Sequence, residues 1–209
     1  MNQTPLSAVQ ARVLAALVEK SITTPQYYPM TVNAIVNACN QKSCRWPLMQ
    51  LGEGEVGSAL LDLSERGLAA REDGGGRVPK WRQRMRHQML LQPATQAILV
   101  TLMLRGPQTV AELRTNAASL KGPDDAEGVQ NAIEDLADRA EPMVRWLERQ
   151  PGQKEERCAH LLCGEPDVAD LPRPRRAASA ASSEALEQRV AALEAAVARL
   201  QTELGLDPQ

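Results

Sequence analysis

Val56-Gly57-Ser58-Ala59-Leu60-Leu61-Asp62-Leu63-Ser64-Glu65-Arg66 returns as Val129-Gln130-Asn131-Ala132-Ile133-Glu134-Asp135-Leu136-Ala137-Asp138-Arg139. Upstream, Leu6-Ser7-Ala8 with Val13, Leu14 and Leu17 returns as Leu91-Gln92-Pro93 with Ile98, Leu99 and Leu102, in the same order. An internal repeat sets the architecture before any other argument. Units of this length exceed solenoid repeats and predict two similar small domains in tandem, 1–88 and 89–164. Each has room for one modest core.

The pattern inside each unit is helix, helix, helix, hairpin. Ser7 is a good N-cap for a helix over 7–20, with Leu6, Val9, Val13, Leu14, Leu17 and Val18 on one face. Thr31 caps a second helix carrying Val32, Ile35, Val36 and Cys39. A third helix, over 53–66, points Val56, Ala59, Leu60 and Leu63 inward, and Gly67 sits where a C′ glycine ends a helix. Two short runs, 68–71 and 78–82, flank Glu72-Asp73-Gly74-Gly75-Gly76 and predict a hairpin. The second unit repeats this with helices over 94–104, 109–118 and 126–139 and strands over 144–147 and 158–162. The fold expected is α+β and mainly helical: two tandem winged-helix domains, a helix-turn-helix variant. With no Phe, three Trp and two Tyr, the cores are built from Leu, Val, Ala, Ile and Met, which suits packed helices.

Residues 165–183 are rich in Pro, Ala, Ser and Arg and predict a disordered linker. Beyond it, Leu186, Val190, Leu193, Val197, Leu200 and Leu204 are spaced as a heptad over 184–206. Val190, Val197 and Leu204 at one seam position and Leu186, Leu193 and Leu200 at the other favour a parallel two-stranded coil. A homodimer is therefore expected, against the alternative of a helix folding back on its own domains.

Charge divides unevenly. Residues 1–90 hold 11 Lys/Arg against 7 Asp/Glu, residues 91–164 hold 8 against 11, and the remainder 5 against 8. The first domain is thus the one suited to an anionic partner. Arg77, Lys80, Arg82, Arg84 and Arg86 follow the first hairpin tip, with Trp81 among them, and Lys42 and Arg45 lie in the loop before the third helix. On a strand, Lys80, Arg82, Arg84 and Arg86 share one face. These seven residues are the candidate contacts to double-stranded DNA, a solubilising charged strand being the plainer alternative. The third helices argue differently. Asp62 and Glu65 in one, Glu134 and Asp138 in the other, lie on outward faces and would repel phosphates. They are candidate protein-docking residues instead. Asn33, Asn37, Asn40 and Gln41 are read as internal hydrogen-bonding groups that pin the flanking loops, with contact to a partner backbone or to bases as the alternative.

Thr23-Thr24-Pro25 through Tyr28-Pro29, Asn33-Ala34 and Asn37 through Lys42 resemble the signature of the bacterial YceH-like family. Leu102-Met103-Leu104-Arg105-Gly106-Pro107-Gln108-Thr109, Glu112-Leu113-Arg114 and Arg157 through Leu161 match it too, so the resemblance spans roughly 6–164. It implies a tandem winged-helix fold and leaves the activity open. The linker is not part of that pattern. A protein-interaction scaffold that docks through its acidic third helices is the alternative to a DNA-binding regulator, and such a use of tandem winged helices looks like that of the chromosome-condensation accessory proteins.

Enzyme chemistry finds no footing. The histidines are His87 and His160, neither set beside a nucleophile in the sequence, and no phosphate-binding loop is present. No cofactor or metal is expected. Cys39 and Cys44, like Cys158 and Cys163, lack the spacing of a zinc site and read as reduced, mostly buried thiols. No signal-like start or membrane span is seen, so the chain is expected in the cytoplasm. A small-molecule-responsive regulator has no pocket signature in the sequence.

Overall fold

The structure, a computed structural model, describes residues 4–72, 78–149 and 155–166, together with Glu194. It is α+β and mainly helical, and the order of elements repeats. The first half holds α1 (Ala8–Thr23), α2 (Val32–Cys39), α3 (Glu53–Glu65), β1 (Ala69–Glu72) and β2 (Lys80–Gln83). A one-turn helix, α4 (Met85–Gln88), joins it to α5 (Pro93–Arg105), α6 (Val110–Ala117), α7 (Ala126–Ala137), β3 (Val144–Leu147) and β4 (Arg157–His160). Each hairpin is antiparallel, with Glu72 opposite Lys80 in the first and Leu147 opposite Arg157 in the second.

Local chemistry starts and stops the helices where the sequence places the signals. Ser7 and Gln10 form a reciprocal capping box, Ser7 Oγ accepting from Gln10 N at 3.1 Å and Gln10 Oε1 from Ser7 N at 2.9 Å. Thr31 and Thr109 cap α2 and α6, their hydroxyls accepting from Ala34 N and Glu112 N, and Glu112 Oε2 completes a second reciprocal box by accepting from Thr109 N. Helix α3 ends in a two-bond C-terminal motif. Leu68 N donates to Leu63 O at 2.8 Å and Gly67 N to Ser64 O at 3.0 Å, with Gly67 at φ +71°. That left-handed turn suits glycine.

The arginine that closes each copy of the repeat does the same work twice. Arg66 Nη1 donates to Thr4 O at 2.7 Å, and Arg139 Nη1 donates to Met89 O at 2.7 Å. Thr4 and Met89 each stand two residues before the leucine, Leu6 or Leu91, that precedes helix one of its half. A third-helix terminus thereby grips the entry to the first helix in both copies.

A single residue ahead of each second helix pairs with the last strand of its hairpin. Met30 exchanges both backbone bonds with Trp81, at 3.1 and 2.7 Å, and Gln108 does so with Cys158, at 3.0 and 2.8 Å. The hairpins are thus tied back onto the helices that precede them.

The helices at the centre are buried far more widely than one amphipathic face requires. In α1 every residue from Gln10 to Val18 is buried, and in α5 every residue from Thr95 to Leu104. A helix buried all round has neighbours on all sides. Helix α1 packs on α2 and α3 of its own half and on α5 of the other, while α5 packs on α6 and α7. The core is one continuous cluster across both halves, and the expected boundary at 88/89 falls inside one compact unit. Leu6 N donates to Leu162 O at 2.7 Å, tying the entry of α1 to the segment that follows β4.

The expected linker, apart from Glu165 and Pro166, and the heptad residues Leu186, Val190, Leu193, Val197, Leu200 and Leu204 lie outside the described residues. A second unit, Pro172–Gln209, is represented among the described residues by Glu194, which is helical and exposed.

Candidate nucleic-acid interface

The first hairpin and its continuation alternate anchors with cations. Lys80, Arg82, Arg84 and Arg86 are all exposed, while Trp81 is 5% and Met85 0% exposed. Trp81 is held by the two bonds to Met30, and Tyr28 adds a third clamp, its hydroxyl accepting from Gln83 N at 2.5 Å. Burial pushes the Tyr28 hydroxyl up to about 12, against the Gln83 amide, so it stays a neutral phenol at physiological pH. Arg84 N donates to Leu68 O at 2.7 Å, which fixes the chain where the strand ends. Four cations therefore project from a backbone that the core holds in place.

The strand itself stops at Gln83, so Arg84 and Arg86 do not share the strand face of Lys80 and Arg82 as the alternation predicts. Met85 draws the chain into α4, and the two later arginines are displayed from that bend. Arg82 forms an ion pair with Glu72 across the hairpin. The Arg86 guanidinium reaches back to Leu91 O at 3.4 Å. Arg77 lies outside the described residues.

Lys42 is exposed in its loop, but Arg45 is not available to a partner. It is 6% exposed and fully committed inside the first half. Its Nη1 and Nη2 reach Glu19 Oε1 and Oε2 at 3.1 and 2.6 Å, and Nε and Nη2 donate to Ala38 O at 3.1 and 2.9 Å. Gln41 Oε1 and Cys44 O accept further bonds. Burial by itself would raise the Glu19 carboxyl, yet the hydrogen bonds and charge of Arg45 outweigh it and hold that carboxyl below its usual range. Arg45 is a fastener between α1 and the loop after α2, which corrects its expected place at the interface.

The asparagines behave as internal ties. Asn40 exchanges bonds with Leu51, Nδ2 to Leu51 O at 2.9 Å and Oδ1 from Leu51 N at 2.8 Å, closing the loop that contains Lys42 and Arg45. Asn33 donates to Glu53 Oε1 at 3.1 Å and Asn37 to Asn33 Oδ1 at 3.3 Å.

On the outward face of α3, Glu65 is exposed, and Leu61 is 57% exposed. Asp62 is half-buried and accepts from Gln10 Nε2 at 2.8 Å, a bond that links α3 to the start of α1. Glu134 on α7 and Asp138, which caps its end, are exposed. The cysteines divide: Cys39 and Cys158 are buried and Cys44 and Cys163 exposed, so half of them, rather than most, are buried.

A feature with no counterpart in the sequence reading is a cleft of about 510 Å³ between the halves. Ala8, Ala11 and Arg12 of α1 and Trp46, Pro47 and Met49 line it from one half. Leu102, Met103, Gly106 and Pro107 line it from the other, with Ala159, His160 and the segment after β4. The one sequence signal for it is Arg12, a lone cation inside the otherwise apolar run Ala11 to Val18, which the reading above does not use.

Among the described residues no helix is long and apolar enough to cross a membrane. Residues 6–153 match the family model described as a protein of unknown function, DUF480. A UPF0502 protein of Geobacter sulfurreducens is 45% identical over 196 residues, covering 93% of this chain and 90% of the relative. One from Solibacter usitatus is 46% identical, covering 93% and 92%. One from Burkholderia ambifaria is 40% identical, covering 99% and 97%.

Proposed function

The chain belongs to the DUF480 family, and we propose that it is a non-enzymatic tandem winged-helix protein that binds double-stranded DNA through its first hairpin. The order of elements supports the winged-helix reading. Each half has a helix, a one-residue bridge, two helices and a hairpin whose last strand takes the bridge.

The observation that carries the DNA reading is the alternation along residues 80–86. Exposed Lys80, Arg82, Arg84 and Arg86 are separated by the buried anchors Trp81 and Met85. A pre-placed row of cations meets phosphates at little entropic cost, and phosphate contacts position a protein on a duplex. The acidic outer face of α3 opposes insertion of that helix into the major groove. Contact is thus to the backbone, with the hairpin leading. The heptad from Leu186 to Leu204 supports a homodimer, which would present two such rows.

The test is anisotropy of a labelled duplex titrated with the full-length protein at rising salt. Four phosphate contacts predict a log–log slope of about −3 to −4. Replacing Lys80, Arg82, Arg84 and Arg86 together by Ala abolishes binding at unchanged melting temperature. No binding at low salt, or an unchanged affinity in the quadruple variant, overturns the reading.

A second reading is a protein scaffold, favoured by exposed Leu61 beside Glu65 on α3. In that case reversing Asp62 and Glu65, or Glu134 and Asp138, removes a basic partner and leaves duplex binding untouched.

A further inference from the structure

The cleft between the halves combines an apolar lining with polar groups that lack partners. Arg12 is 1% exposed and stands in its wall. Its Nη1 and Nη2 donate to the carbonyls of Cys39 and Pro47 at 3.2 and 2.8 Å, while its Nε–H has no acceptor among the described residues. No carboxylate among the described residues forms an ion pair with it. Glu19, the acidic group that acts on it through space, is already taken by Arg45 and Lys20. His160 also lines the cleft, and its Nδ1 is buried without a partner among the described residues. An orphaned donor on a buried cation is costly to leave unmade, and a bound acceptor removes that cost.

The rest of the lining is mainly apolar: Ala8, Ala11, Trp46, Leu102, Pro107 and Ala159 among others. Met49 and Met103 stand in the same wall, and their unbranched chains re-pack readily. Glu165, at the rim, is neutralised by Arg145. A concave, mainly apolar space of this volume with a few convergent polar groups is the form of a small-molecule site.

We propose that this cleft binds a small organic acid with a flat apolar body, its carboxylate held by Arg12 and His160 and its body against Trp46. The guanidinium offers Nε–H, and the imidazole offers Nδ1 in its N–H tautomer. Movement of the Met49 and Met103 side chains admits the acid group. The site joins residues of both halves, and it stands independently of any contact to DNA.

The test is isothermal titration of the full-length protein with 2-naphthoate and, separately, with 2-naphthamide, which has the same shape and no charge. The acid binds and the amide binds at least about tenfold more weakly. Arg12→Gln loses that preference. Because Arg12 is buried and its replacement can unfold the chain, Ala8→Trp is the second variant. Ala8 is exposed at the start of α1 and lines the cleft, so a larger side chain fills the space without entering the core. It abolishes binding at unchanged melting temperature. Three outcomes overturn the proposal: no binding of the acid at 1 mM, equal binding of acid and amide, or full binding by Ala8→Trp.

Discussion

The indole of Trp46 occupies the space a side chain at Gly106 would need: a Cβ there would stand 2.6 Å from Trp46 Cε3. The two are locked by backbone as well, since Trp46 N donates to Leu104 O at 2.8 Å. Gly106 lies at φ +75° and ψ −165°, a conformation open in practice only to glycine. One contact thus joins a loop of the first half to the end of α5 in the second and forms a wall of the cleft.

Gly106→Ala is expected to destabilise the fold by about 2–4 kcal/mol, from backbone strain and the clash together. Trp46→Ala removes the clash, so the double variant loses less than the sum of the singles. Urea unfolding of the four proteins reads this directly. Strict additivity would show that the ring and the glycine are not in contact.

Glu19→Gln leaves the buried Arg45 without its counter-charge and costs about 3 kcal/mol. The same pair sets an acid limit. The folded pKa of Glu19 lies below its unfolded value of ~4.3. Its contribution is therefore whole above that value and is lost as pH falls through the lower, folded one. Stability measured against pH shows a smaller loss on acidification in Glu19→Gln than in the parent protein.

Burial lowers the His160 imidazole to about 4. The unfolded chain takes up that proton near pH ~6.5. Stability from this group is complete above that pH and drains away as pH falls toward 4, by at most ~1.4 kcal/mol per pH unit. His160→Asn flattens the curve in that window, and an unchanged slope there would show that the ring titrates normally.

Arg139→Ala frees the Met89 carbonyl and the weaker 3.3 Å contact to Leu90 O, at a cost of about 1–2 kcal/mol. Hydrogen exchange should quicken at residues 89–91 before it does in α1. Arg66→Ala, whose bond to Thr4 O is exposed, costs less.

How far the sequence reaches is visible in particular residues. The repeat, the Ser7, Thr31 and Thr109 caps, the Gly67 stop and both hairpins are legible because each depends on neighbours within a few positions. The hairpin cations were legible too, as a charge pattern. Arg45 was misread because its partner Glu19 is 26 residues away, and a loop arginine before burial looks the same as one on a surface. Alternation alone places Arg84 and Arg86 on the face of Lys80 and Arg82, whereas buried Met85 turns the chain after Gln83.

The sequence by itself determined that this protein is built twice from one helical plan, since caps, periodicity and glycine stops act over short stretches of chain. Only the tertiary structure decided that α1 and α5 bury themselves against each other, that the two halves share a core, and that a cleft with an unpaired arginine opens between them. Those outcomes depend on which apolar surfaces meet across tens of residues, and apolar surfaces attract without direction, so no local pattern names their partner.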